Sequence, residues 1–153
     1  MPEQTGHLEK EALDYLSSQH VMTLATAGAE GPWATALFYV NRGFTLYFFT
    51  EGRTLHGRNM TENPAVAASI SRDSDDWREI KGIQISGKVY PVGMDEKVAI
   101  ICLFTRKYTA MNIFLTGNPA AVARADVYKL VPGEIWYLDN KRGFSKRQKL
   151  ILE

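Results

Sequence analysis

The chain has 153 residues, enough for one domain with a sizeable core, and its 45% hydrophobic and 23% charged residues are those of an ordinary soluble fold. A formal net charge of +1 gives no global field for nucleic acid or an anionic membrane, so any charge-based function must come from a local cluster. No window approaches the roughly 18 apolar residues of a membrane span, and the opening MPEQTGHLEKEALDYL lacks a signal-peptide pattern, so the expected compartment is the cytoplasm.

Residues 6–18 place Leu8, Ala12, Leu13, Tyr15 and Leu16 at helical spacing with charges between them, which predicts one amphipathic helix. VMTLATAG (21–28) then reads as a short strand ending in a Gly turn. PWATALFYV (32–40), the turn Asn41-Arg42-Gly43 and FTLYFFT (44–50) read as further antiparallel strands joined by a hairpin. A helix is expected over about 54–62, closed by Asn63-Pro64, and AVAASISR (65–72) is the next strand. REIKGIQISGKVYPV (78–92) alternates along its length, and its internal glycines suggest the bends of a curved sheet.

MDEKVAIICLFTRKY (94–108) reads as a helix, and AMNIFLTGNPAAVARA as a shorter helix and turn. DVYKLVP and EIWYLDN read as two closing strands around Pro132-Gly133, followed by a basic tail, KRGFSKRQKLILE. The lone cysteine, Cys102, cannot form a disulfide within the chain and is expected as a small core residue. His7, His20 and His56 have no paired metal-ligand spacing. There is no repeat or linker, no GxGxxG after a first strand and no GxxxxGK[ST]. The whole chain, 1–153, therefore reads as a single mainly β domain of the α+β class. Its expected form is a β-barrel of about six to seven mostly antiparallel strands with helices outside.

One stretch carries chemistry. In LYFFTEGRTLHGRNMTENP (46–64), Arg53, His56 and Arg58 crowd the start of a helix, where the macrodipole already places positive charge. That is poor for an empty protein and good for a bound phosphate. Thr54 stands at the N-cap, the first-turn N–H groups lack intrahelical acceptors, and Arg can hold two phosphate oxygens at once.

The same segment resembles the phosphate-binding segment of the pyridoxamine 5'-phosphate oxidase-like family, the FMN-binding split barrels. MTLATAGAEGPWATALFYV, WREIKGIQISGKVYPV and VYKLVPGEIWYLDNKRGFSKR resemble its first two, central and closing strands in the same order, so the similarity covers roughly residues 8–148. It implies a split barrel, FMN as cofactor, and a homodimer holding FMN at the subunit interface. It also implies a small-molecule substrate, with no nucleic acid or membrane partner.

Carried over position by position, Phe49 and Thr50 match the strand end at the flavin and its phosphate, and Thr54 the phosphate-binding hydroxyl. His56 occupies the family's usual Lys position, a departure for which Arg53 supplies a permanent charge, with Arg58 beside it. Ala34, Thr35, Ala36 and Leu37 match the strand whose backbone runs along the isoalloxazine ring. Gln84 matches a polar flavin contact on the central strand. Trp136 and Arg147 match residues that reach a flavin across the dimer. The tail lacks the family's Arg-x-His substrate motif, which argues against pyridoxamine phosphate itself. The implied function is an FMN-dependent oxidoreductase. The alternatives are a non-catalytic flavin-binding or storage protein and a haem-binding or haem-degrading relative. No catalytic acid or base can be named.

Overall fold

The computed structural model describes residues 2–152. It is one curled, antiparallel, eight-stranded sheet with helices around it, the split-barrel architecture expected from the sequence. The strands are β1 (Val21–Gly28), β2 (Gly31–Phe38), β3 (Val40–Arg42), β4 (Thr45–Thr50), β5 (Ala65–Ser71), β6 (Lys81–Pro91), β7 (Asp126–Asp139) and β8 (Arg147–Leu150). The helices are α1 (Pro2–Ser18), α2 (Leu55–Glu62), α3 (Met94–Lys107), α4 (Thr109–Gly117) and α5 (Pro119–Arg124). The order across the sheet is β2-β1-β5-β6-β7-β4-β3, with β8 on the far half of β7.

Alternation decides which face is buried, because successive strand side chains point to opposite sides. Met22 and Leu24, Leu46 and Phe48, Ile83 and Ile85, and Ile135 and Tyr137 all turn inward, and Ala12, Tyr15 and Leu16 of α1 close the end of that core. The Tyr39 hydroxyl, buried between β2 and β3, donates to the Leu16 carbonyl at 2.5 Å and so ties the sheet to the last turn of α1. Tyr39→Phe should lower stability by about 1–2 kcal/mol, because a buried hydrogen bond is lost and its acceptor is left unpaired. The urea midpoint measures it; an unchanged midpoint would mean that water replaces the hydroxyl.

A second, smaller core lies on the outer side. Ile100 and Phe104 of α3 cover Val40, Tyr47 and Val127. These two helix residues are one turn apart, and Cys102 sits roughly 200° round from each of them. Cys102 is therefore exposed, not the core residue its apolar neighbours suggested.

Two other sequence expectations change. Pro132-Gly133 does not separate two strands: β7 runs unbroken through it, and the register with β6 shifts there, from Ser86 opposite Glu134 to Gly87 opposite Pro132. The dipeptide is a bulge, tolerable because a bulge leaves one residue unpaired and so does not require the N–H that proline lacks. The basic tail is also partly ordered. It makes a single 3-10 turn at Asn140–Arg142 and then β8.

Candidate functional site

Eight of the thirteen candidate residues gather into two groups, Thr50, Thr54 and His56 in the first and Ala34, Ala36, Gln84, Trp136 and Arg147 in the second, and Arg53 and Arg58 sit at the rim of the first. The first group forms where β4 ends and α2 begins. Thr54 is the N-cap of α2, in extended conformation, and its hydroxyl accepts from the Gly57 N–H at 3.1 Å while donating to the Glu51 carbonyl at 2.7 Å. The chain can fold this tightly only because residue 57 is glycine: a Cβ there would stand 2.6 Å from the Glu51 carbonyl oxygen.

His56 is buried and turned toward the strand. Its Nε2 lies 2.6 Å from Thr50 Oγ1 and 3.3 Å from Thr54 Oγ1, and the two hydroxyls are 3.4 Å apart. Two hydroxyls and one imidazole nitrogen thus form a small triangle below the first turn of α2. Its amides at Leu55 and His56 have no intrahelical acceptor. Burial pulls the His56 pKa below its usual value, so near neutral pH the ring is uncharged in the protein alone.

The cations are less concentrated than their sequence positions suggest. Arg53, with 86% of its side chain exposed, is paired to Glu51 at 2.6 Å. Arg58 donates to the Arg53 carbonyl at 2.7 Å and lies 3.7 Å from Glu30. The positive charge at the helix start is thus largely offset by Glu51 and Glu30, which answers the dipole conflict. Phe49 does not join the triangle, because strand alternation turns it the other way, onto Phe104 with ring centres 4.7 Å apart.

The second group lies on the outer face of the sheet. Residues directly opposite in antiparallel strands share a face. One such row runs Ala36, Thr23, Ser69, Gln84, Trp136, and a parallel one runs Ala34, Ala25, Ala67, Ser86, Glu134. Except at Gln84, Trp136 and Glu134 these side chains are small, so the rows make the floor of a groove of about 380 Å³. At its far end the Arg147 guanidinium donates to the Gln84 side-chain Oε1 at 3.1 Å and lies 5.8 Å from the Trp136 ring centre. The Trp136 indole N–H donates to Glu134 at 2.6 Å, and hydrogen bonds from Lys149 and Trp136 hold the Glu134 carboxyl below its usual pKa.

Ala34 and Ala36 extend this floor onto β2, whereas Thr35 and Leu37 are on the opposite side of that strand. Sequence reading did not find Thr23, Ser69, Ala67 and Glu134. The available signal was the run of small residues at alternate positions in β1 and β5. It also missed the buried bond from Asn59 Nδ2 to Thr26 Oγ1, 3.1 Å, which seats α2 beneath the β1–β2 hairpin.

These residues fit FMN. The triangle and free amides suit a phosphate, Gly57 lets the first turn pack onto the Glu51 carbonyl that shapes it, and the flat floor with Gln84, Trp136 and Arg147 at its end suits a planar ring with polar edges. Among the described residues no helix is long and apolar enough to cross a membrane.

The family model described as pyridoxamine 5'-phosphate oxidase matches residues 8–139. A UPF0306 protein of Photorhabdus laumondii is 34% identical over 137 residues, covering 87% of this chain and 88% of that protein. A conserved hypothetical protein of Mycobacterium tuberculosis superposes with a TM-score of 0.77 at 19% identity, over 88% of this chain and 86% of its own. HutZ, the haem storage protein of Vibrio cholerae, superposes with a TM-score of 0.68 at 17% identity, over 84% and 92%. At those identities the two structures speak for the fold alone.

Proposed function

The chain belongs to the pyridoxamine 5'-phosphate oxidase family, and from that premise we propose that it binds FMN and acts as an FMN-dependent oxidoreductase on a small molecule. The observation that carries the reading is the triangle of Thr50, Thr54 and His56 under the open first turn of α2. Thr54, His56 and the first-turn amides would hold the phosphate, with Arg53 at the rim. The groove floor, Gln84 and Trp136 would hold the ring. Bound flavin would supply the electron chemistry, and the chain would supply binding, orientation and electrostatics. The buried Asp139 carboxylate and the Thr26, Thr50 and Tyr39 hydroxyls are engaged in structure, and no side chain is assigned as acid or base.

The working unit in this reading is a homodimer. β2 is an eight-residue edge strand with Trp33 and Phe38 each about half exposed, and long bare edges are normally covered. A second copy is the simplest cover, since twofold pairs are the commonest closed assemblies. Light scattering on the flavin-loaded protein should give twice the chain mass; a monomer mass with flavin bound would overturn it.

The absorbance spectrum of the purified protein, followed by titration with FMN, tests the cofactor. Oxidised-flavin bands or saturable FMN binding support the reading. A Soret band without flavin would favour the haem alternative, which HutZ represents among proteins of this fold. Thr54→Ala should weaken FMN about tenfold while leaving riboflavin nearly unchanged, because the lost contact is to phosphate. The same change removes a helix cap worth about 1 kcal/mol, and riboflavin controls for that. Equal weakening of both ligands would remove Thr54 from the phosphate site.

A further inference from the structure

We propose that the cationic pocket at the C-terminal turn binds the pyrophosphate of a nicotinamide dinucleotide, making this compound class the electron donor of the flavin reaction. The pocket has a volume of about 680 Å³ and is lined by Trp136, Arg142, Ser145, Lys146, Arg147 and Gln148. Its charge is not balanced. Arg142 is paired with Glu11, but neither Lys146 nor Arg147 has a carboxylate within ion-pair distance among the described residues. Two unpaired cations match the two negative charges of a pyrophosphate diester, and the volume far exceeds what a lone phosphate fills.

The cations stand on a built turn. Buried Asn140 accepts from the Ser145 N–H at 3.2 Å and donates to the Trp77 carbonyl at 2.6 Å. Ser145 adopts φ 56° and Gly143 φ 136°, so the backbone reverses sharply just before β8, and Lys146 and Arg147, which follow the turn, both line the pocket. The same turn presents Phe144, 69% exposed, edge-on to Trp77, 56% exposed, with ring centres 5.4 Å apart. Phe144 directly precedes the pocket residues Ser145, Lys146 and Arg147 in the chain, so an exposed aromatic ring on which a base can stack adjoins two cations that lack carboxylate partners.

Trp136 belongs to both this pocket and the groove. A dinucleotide anchored on Lys146 therefore has its other end at the groove, where the flavin reading places the ring, and the donor role rests on that reading. There, dihydronicotinamide would give up a hydride, carrying two electrons, and leave oxidised. The flavin would gain that hydride and one solvent proton.

The test is calorimetric titration of the purified protein with NADP+, NAD+, inorganic pyrophosphate and, separately, FMN. The native chain should bind at least one dinucleotide more tightly than pyrophosphate, with affinity falling as salt rises. Lys146→Glu should weaken that dinucleotide about tenfold or more and flatten its salt dependence, because a phosphate contact is reversed in charge. Phe144→Ala should weaken the dinucleotide and leave pyrophosphate unchanged. Neither variant touches the FMN residues, so FMN affinity should hold in both. Equal dinucleotide affinity in native and Lys146→Glu protein would overturn the proposal, as would dinucleotides no tighter than pyrophosphate. Dinucleotide binding without FMN binding would sink the flavin reading and the donor role and leave the site; FMN binding without dinucleotide binding would do the reverse.

Discussion

Gly87→Ala should destabilise the protein by about 3 kcal/mol or more, because the added methyl group meets backbone on a side where nothing can yield. A Cβ at residue 87 would stand 2.2 Å from the Val131 carbonyl oxygen and 3.0 Å from Pro132 Cα. A flexible side chain could swing away from such a contact. These atoms belong to β7, which is paired to β6 along its length and to β4 and β8 on its other side. Relief therefore requires breaking the ladder at the bulge where the sheet curls. Gly133→Ala is the control, since its Cβ would meet only the Ser86 carbonyl at 3.7 Å, ordinary contact, and should change stability by less than about 1 kcal/mol. Chemical denaturation compares the two. Because Ser86, next in the chain, is part of the groove floor, Gly87→Ala should also lose ligands that bind there. A native-like midpoint for Gly87→Ala would mean that the close packing of β6 on the bulge is not a feature of the folded protein.

The same bulge shows where sequence legibility ends. β1 and α2 were readable to within a residue, because their signals are local: alternation stopped by Gly28, and a Thr54 cap with Asn63-Pro64 at the far end. Pro132-Gly133 carries the composition of a turn, and only pairing with β6, far away in sequence, makes it a bulge in one continuous strand. β8 was invisible for the same reason, since RQKL is polar and becomes a strand through β7. At the site, the cap, the hydroxyls and His56 were legible as types in order. Their electrostatics were not, because Arg58 is offset by Glu30 on a different hairpin and His56 turns inward to Thr50. The groove was least legible of all. Each strand contributes only one or two small residues to it, and the rows exist only in the register.

If His56 holds the phosphate, FMN affinity should fall with rising pH, by up to about a decade per unit at its steepest. The sign follows from proton counting. Burial holds the His56 pKa below its usual value in the protein alone, and a phosphate dianion beside Nε2 favours the imidazolium, raising the pKa in the complex. Between those two values the complex binds nearly one more proton than the separated partners, so binding takes up a proton and weakens as protons become scarce. Above the bound-state value the ring is neutral in both states and affinity levels off. The phosphate's own second ionisation, near about 6, acts oppositely but only at the acid end. Folding responds too: the unfolded chain binds the His56 proton more readily, so stability declines as pH drops through about 6.5 and stops declining below the lowered folded value. His56→Lys separates the ligand effect from the rest. Lysine titrates near 10.4 in water, so even after burial its charge should persist through about pH 8.5 and flatten the fall. Titrating both proteins with FMN from about pH 6 to 8.5 decides it. Matching profiles would make His56 a buried partner of Thr50 and nothing more, and the phosphate would rest on Thr54, the first-turn amides and Arg53.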